Sequence, residues 1–214
     1  METYDAVILA SGDFPVAKEA LNILYSAKFL CCCDSAAEIA LQHGLTPDVV
    51  VGDGDSLSED CRARLGERYI QIDEQEDNDL TKATRHCIGL GYKHIAYIGA
   101  TGKREDHTIG NIFLLPKYHK DFGIVPTMYT DYGVFTVGEG NREYTSFARQ
   151  QVSIFNISCE RLTSENLKWA LYPALSLWET TLNEALGETF SIQSDGIYIV
   201  FQTYAPKEEK NQNI

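Results

Sequence analysis

Up to about residue 131 the chain alternates short apolar runs with stretches of helical period, and no other feature limits the fold as strongly. The runs Tyr4–Ala10, Phe29–Cys33, Asp48–Val51, Tyr69–Ile72 and His94–Ile98 are continuously apolar or nearly so, as in strands buried on both faces. Helical segments separate them: one opened by Pro15 with Val16, Ala20, Leu21 and Leu24 on a stripe, then Ala36–His43, Ser58–Leu65, Leu80–Leu90 and His107–Leu115. Strands separated by helices predict an α/β domain, 1–131, with a mostly parallel sheet and helices on both faces. Beyond Asp131 the runs become short, β-branched and aromatic: Gly133–Val137, Tyr144–Phe147, Val152–Asn156, Phe190–Gln193 and Ile197–Gln202. Only Glu179–Ala185 offers a short, ambiguous helical pattern there. An antiparallel, sandwich-like β domain is expected over 132–214, with a polar, frayed tail at Lys207–Ile214.

Parallel sheets of this kind collect ligands beyond the carboxyl ends of their strands, so the loops there are where chemistry is expected. Asp34 follows the second run, Gly52-Asp53-Gly54-Asp55-Ser56 the third, and Asp73 to Asp79 the fourth. The fifth leads into Gly99-Ala100-Thr101-Gly102-Lys103-Arg104-Glu105-Asp106-His107. Acids converge on one sheet edge, with a lysine and an arginine in the last loop, a combination suited to metal and phosphate. Asp53 and Asp55 can turn toward one hard cation such as Mg²⁺, which takes one or two carboxylates plus phosphate oxygens and water. The plain alternative is a solvated turn that uses Asp for its turn chemistry. The glycine-rich loop entering a helix can hold phosphate on its N–H groups, although the Walker A spacing is absent. Arg104 adds a fork of donors, while Asp106 reads equally well as an N-cap. His107 and Asn111, four apart, share a helix face. Asp79 opens its helix with Lys82 a turn further on, and the acids Asp73, Glu74, Glu76 and Asp77 read as solvated surface.

Composition narrows the partners. A formal net charge of −13 argues against nucleic-acid binding, which needs clustered Lys and Arg, and tolerates a small cationic ligand. Met1 to Asp5 is acidic and Ala6–Ala10 too short for a leader or a span, so a cytoplasmic protein without membrane contact is expected. The six cysteines form no C-x-x-C pair and read as reduced thiols, with a Cys31/Cys33 metal site as the alternative.

Taken in order, the blocks resemble the thiamine pyrophosphokinase family. Cys33-Asp34-Ser35-Ala36-Ala37 is similar to its A-D-G-G-A segment, and Gly52-Asp53-Gly54-Asp55-Ser56 to its G-D-x-D-S. Gln75-Glu76-Asp77-Asn78-Asp79-Leu80-Thr81-Lys82-Ala83 resembles D-Q-x-x-T-D-x-x-K-A. Gly99 to His107 with Asn111 resembles G-A-x-G-x-R-x-D-H-x-x-x-N, and Leu167-Lys168-Trp169 and Thr180-Thr181-Leu182-Asn183 resemble L-K-W and S-x-S-N. Three departures stand out. Gly54 replaces a bulky apolar residue, Ser35 and Ala36 replace two glycines, and Leu182 stands where a serine is usual.

The resemblance implies that the β-phosphorus of ATP is attacked by thiamine's hydroxyl, with AMP as the leaving group. Catalytic roles fall to Asp53, Asp55, Asp79, Arg104 and Asp106. ATP is expected on Asp34, Lys82, Gly102, Arg104, His107 and Asn111, with Mg²⁺ on Asp53 and Asp55. Thiamine is expected on Gln75, Asp79, Trp169 and Asn183, with Trp169 stacked on the heterocycle unless it is simply a core residue. The resemblance also implies a homodimer whose sites draw on both chains. Two other classes stay open on the residues alone: a metal-dependent nucleotide phosphohydrolase, and a non-catalytic binder of thiamine or nucleotide.

Overall fold

The computed structural model describes residues 3–55 and 57–207; the expected frayed tail beyond Lys207 and Ser56 of the G-D-x-D-S block lie outside the described residues. The chain divides into two compact units, 1–131 and 132–214.

In the first unit six strands form an all-parallel sheet. β1 (Ala6–Leu9), β2 (Leu30–Cys33), β3 (Val49–Gly52), β4 (Tyr69–Gln71), β5 (His94–Ile98) and β6 (Val125–Tyr129) lie in the order β6-β5-β1-β2-β3-β4. Every residue of β1, β2 and β3 is buried, which explains why these strands read as unbroken apolar runs. Alternate side chains serve opposite faces. Val7, Leu9, Leu30, Cys32, Val50, Ala96 and Ile98 join one core with α1 (Lys18–Tyr25), α2 (Ala36–Gln42) and α3 (Glu59–Leu65). Ala36, Ala37 and Ala40 are fully buried, and their small side chains let α2 lie close to the sheet. On the other face Cys31 meets Cys87 of α4 (Asp79–Gly89), the Tyr97 and Thr84 hydroxyls lie 3.0 Å apart, and Tyr97 stacks on Tyr118 of α5 (Glu105–Phe122). Helices thus cover both faces.

Three readings of this half need correction. The first helix starts at Lys18, not at Pro15, and leaves Val16 exposed; Ile23 takes its expected place in the core. α5 runs past Leu115 through Pro116 to Phe122, ending at Gly123 in a left-handed cap. Buried Leu115, Pro116 and Tyr118 outweigh the hydrogen bond that the proline removes. β6 was missed because Pro126 breaks up its strand pattern, yet pairing with β5, Pro126 opposite Ile95, seats Val125–Tyr129 in the sheet.

The second unit is a two-sheet antiparallel structure. β7 (Gly133–Glu139), β9 (Gln150–Asn156), β11 (Asn183–Glu184) and β13 (Ile197–Pro206) form one sheet, and β8 (Arg142–Thr145), β10 (Leu162–Glu165) and β12 (Thr189–Ser194) the other. Val152, Ile154, Tyr198 and Val200 of the first sheet and Leu162, Phe190 and Ile192 of the second share one core. The segment 179–185 is not helical: turns lead into β11, which pairs with β9 through Asn183 and Val152. All six cysteines are free and buried, and among the described residues no group of three His, Cys, Asp or Glu is placed to hold a metal. Among the described residues no helix is long and apolar enough to cross a membrane.

Candidate active site

In the first unit the chain adds β2, β3 and β4 on one side of β1, then crosses over to place β5 and β6 on the other. The loops leaving β1, β2 and β3 lead to helices on one face and the loop leaving β5 to α5 on the other, so a crevice opens at the carboxyl edge where β1 and β5 lie side by side. A cleft of about 460 Å³ lies there. Its rim is tied together by backbone. Gly12 N–H donates to Gly99 O at 2.7 Å and Asp13 N–H to Thr101 O at 2.9 Å. A Cβ at Gly12 would collide with the Gly99 and Thr101 carbonyls, so only glycine lets the two loops approach. The Lys103 ammonium donates to Ser11 O at 2.7 Å, and the Ser11 hydroxyl to Cys33 O at 2.9 Å.

Carboxylates reach this cleft from three elements. Asp34, buried at the end of β2, has a left-handed backbone with φ 36°. Such a conformation is uncommon outside glycine and recurs where a side chain must be aimed. Gly52 lies beside it, and a Cβ there would come 2.7 Å from the Asp34 Cβ. Asp53 lines the cleft, its carboxylate accepting from the Asp55 N–H at 3.1 Å and from Gln75 Nε2 at 3.3 Å. The Asp55 N–H, with Gln75 and the Lys82 charge, holds the Asp53 carboxyl below its usual range. Asp79 sits at the start of α4, where Asn78 caps the helix by accepting from Thr81 N–H at 3.0 Å. Burial raises its carboxyl above the ordinary value, as do the negative charges of Asp53 and Asp34, while Lys82 opposes the shift. Lys82 is only 3% exposed, and its ammonium stands 3.6 Å from Asp79 Oδ1 on the cleft wall. A buried ammonium is costly without a negative partner, and the Asp79 carboxylate supplies one.

The loop 99–106 forms the opposite wall. Arg104 points its guanidinium at Asp106 as a fork, with Nε–Oδ1 3.1 Å and Nη2–Oδ2 2.5 Å, which raises the arginine and lowers the acid. The N-cap of α5 is Arg104, not Asp106. Arg104, His107 and Asn111 line the cleft. Asn111 is already committed on both sides, donating to Ala100 O at 2.8 Å and accepting from Asn78 Nδ2 at 3.1 Å, so it couples α5 to the cap of α4. Gly102, at φ 104°, lies off the wall; a side chain there would strike the Asp13 carboxylate. In the second unit Trp169 is 51% exposed and therefore not a core residue. Its ring has the Lys168 ammonium 5.0 Å from the centroid. Buried Asn183 clamps the Trp169 backbone, accepting from its N–H at 3.1 Å and donating to its carbonyl at 2.7 Å.

One cleft thus gathers Asp34, Asp53, Gln75, Asp79, Lys82, Arg104, His107 and Asn111. Asp55, Gly102 and Asp106 are not on its wall, and Trp169 and Asn183 belong to the other unit. Asp77, read as surface, lines the cleft and pairs with Arg85 at 2.5 Å. Ser11 and Gly12 were missed as site residues, whereas Thr101 and Lys103 were read as part of the glycine-rich loop without a role of their own. The signal for Ser11 and Gly12 is their place directly after β1, since the loop behind every parallel strand opens onto this edge.

A divalent cation carried on a triphosphate needs one or two carboxylates from the protein, and Asp53 on the wall with Asp55 two residues on supplies hard oxygen donors of that kind. The donor chemistry fits Mg²⁺.

The description "Thiamin pyrophosphokinase, catalytic domain" matches residues 20–125, and "Thiamin pyrophosphokinase, substrate-binding domain" matches 133–201. No curated protein sequence matches the chain. Among solved structures, thiamine pyrophosphokinase from Bacillus subtilis is similar at a TM-score of 0.76 and 21% identity, over 92% of this chain and 98% of that one. A thiamin pyrophosphokinase family protein from Enterococcus faecalis has a TM-score of 0.76 at 20% identity, over 95% and 99%. Yeast thiamin pyrophosphokinase has 0.75 at 15%, over 95% and 87%. Identities this low speak for the fold, whereas the two consecutive domain matches, in their expected order, carry the assignment. The chain belongs to the thiamin pyrophosphokinase family.

Proposed function

We propose that the chain transfers the diphosphate group of ATP to the hydroxyl of thiamine, giving thiamine diphosphate and AMP, with the Mg²⁺-bound triphosphate seated in the cleft of the first unit. The buried Lys82 ammonium, 3.6 Å from Asp79 on a cleft that Asp34 and Asp53 also line, carries this reading, since it is placed for a polyanion that brings its own cation. Asp53 and Asp55 would hold Mg²⁺, which neutralises phosphate oxygens when bound. Lys82 and Arg104 face the charge that builds on the phosphates as the β-phosphorus changes partners. Asp79, kept more basic than an ordinary carboxylate by burial, orients the attacking hydroxyl and accepts its proton. Incubation with ATP, Mg²⁺ and thiamine should yield AMP only when thiamine is present. ATP breakdown without thiamine would instead indicate a phosphohydrolase, and binding without turnover a non-catalytic protein.

Trp169 and Asn183 are proposed to receive thiamine, Asn183 by fixing the backbone that presents the indole. The half-exposed indole is the aromatic surface proposed to meet the cationic ring. Trp169→Ala should therefore raise the KM for thiamine about tenfold with little change in that for ATP. Equal effects on both substrates would dismiss the stacking role.

The free cysteines support a reducing compartment, and the cytoplasm is the proposed location. A homodimer is proposed on the exposed apolar side chains of the second unit, Tyr172, Leu175, Leu177, Trp178, Leu182 and Leu186. Light scattering should give twice the chain mass for the native protein and the chain mass for Leu175→Glu/Trp178→Glu. A native monomer active at the same concentration would refute the dimer.

A further inference from the structure

Gly54 lies between Asp53 and Asp55, where the family carries a bulky apolar residue, and the structure shows what occupies the vacated space. Its backbone is left-handed, at φ 84°, and a Cβ would collide with the Arg62 guanidinium and the Tyr69 hydroxyl. Arg62, on α3, donates from Nη2 to the Gly54 carbonyl at 2.8 Å. Its Cζ stands 5.1 Å from the centre of the Tyr69 ring, and the Tyr69 hydroxyl donates to Gly52 O at 3.4 Å. Arg62 Nε is buried and has no hydrogen-bond partner among the described residues. Its place is therefore set by the ring on one side and the Gly54 carbonyl on the other.

We propose that Arg62, stacked on Tyr69, is a positioning residue for the Asp53–Asp55 loop, replacing with a cation and a hydrogen bond the packing that a large side chain at position 54 would give. This rests on the reading that the loop holds the divalent cation. A glycine at this point loosens the loop, because it allows many backbone conformations and buries no side chain. A charged hydrogen bond to its carbonyl, anchored on a strand of the sheet, restores one conformation.

The test is binding of Mn²⁺, followed by electron paramagnetic resonance, in the presence of a non-hydrolysable ATP analogue, alongside kinetics. Arg62→Ala should raise the half-saturating Mn²⁺ concentration about tenfold and leave the KM for thiamine unchanged. Arg62→Lys, which keeps a charged donor, should recover part of that loss. Tyr69→Phe keeps the ring and removes the hydroxyl, so it should shift Mn²⁺ binding in the same direction by less; it also serves if Arg62→Ala does not fold. Unchanged Mn²⁺ affinity in the folded Arg62 and Tyr69 variants would overturn the proposal. Asp53→Asn is the control: if it too leaves Mn²⁺ affinity unchanged, the metal reading itself has failed.

Discussion

Asp53→Asn should lower the rate of AMP formation by about a hundredfold or more while the protein remains folded. The substitution keeps the volume and removes a formal charge from the one described member of the G-D-x-D-S block that lies on the cleft wall. The Asn side chain can still accept from the Asp55 N–H, so the turn itself should survive and circular dichroism should not change. Asp55→Asn should cost less, because its carboxylate lies off the wall. Its loss should show chiefly as a higher Mg²⁺ requirement. Equal and complete inactivation by both changes would mean that the loop rearranges when the triphosphate arrives. Near-normal rates for Asp53→Asn would remove the metal assignment altogether.

Lys82→Met should be the second severe change, with an expected fall in kcat of about a hundred- to a thousandfold at saturating thiamine. The methionine keeps the length of the side chain and deletes the charge at a position that solvent hardly reaches, so water cannot stand in for it. The variant also has a signature in pH. Burial and the charges of Asp53 and Asp34 raise the Asp79 carboxyl, and Lys82 is the group that pulls it back down. Without the ammonium the carboxyl should rise further. If Asp79 must be ionised to accept the proton, the acid limb of the kcat/KM profile should move to higher pH in Lys82→Met. An unmoved limb would take the proton-accepting role away from Asp79, even if the rate still falls. A loss of rate with no change in the KM for ATP and no pH shift would confine Lys82 to holding the departing phosphates.

Much of the architecture was legible because burial on both faces writes continuous apolar runs. The runs marking β1, β2 and β3 needed no partner to be recognised. Elements that depend on their neighbours were not. β6 carries a proline at its second residue, β10 is a polar four-residue edge, and β11 is two residues long, so none has a pattern of its own. α5 was cut at Pro116 because propensity says to stop there, and only the burial of Tyr118 beyond it shows why the helix continues.

Read alone, the amino-acid order shows which loops follow strands and which family the blocks resemble, since buried strands are visible as apolar runs and the chemistry-bearing residues come directly after them. It also led to the expectation of Asp34, Asp53, Asp79, Lys82 and Arg104 at one edge, and these residues line one cleft. Which acids face the cleft was decided only by the tertiary structure. Asp53 and Asp55 are equivalent on paper, yet a left-handed Gly54 pinned by Arg62 separates their directions. Asp77 looks like solvated surface until Arg85 draws it against α4. Ser11 and Gly12 carry no catalytic signature, and they enter the site because the Gly12 N–H is bonded to Gly99 O and the Ser11 carbonyl to the Lys103 ammonium, both on a loop far along the chain. A side chain's direction at a strand end depends on two or three backbone dihedrals, and those are set by contacts distant in the chain.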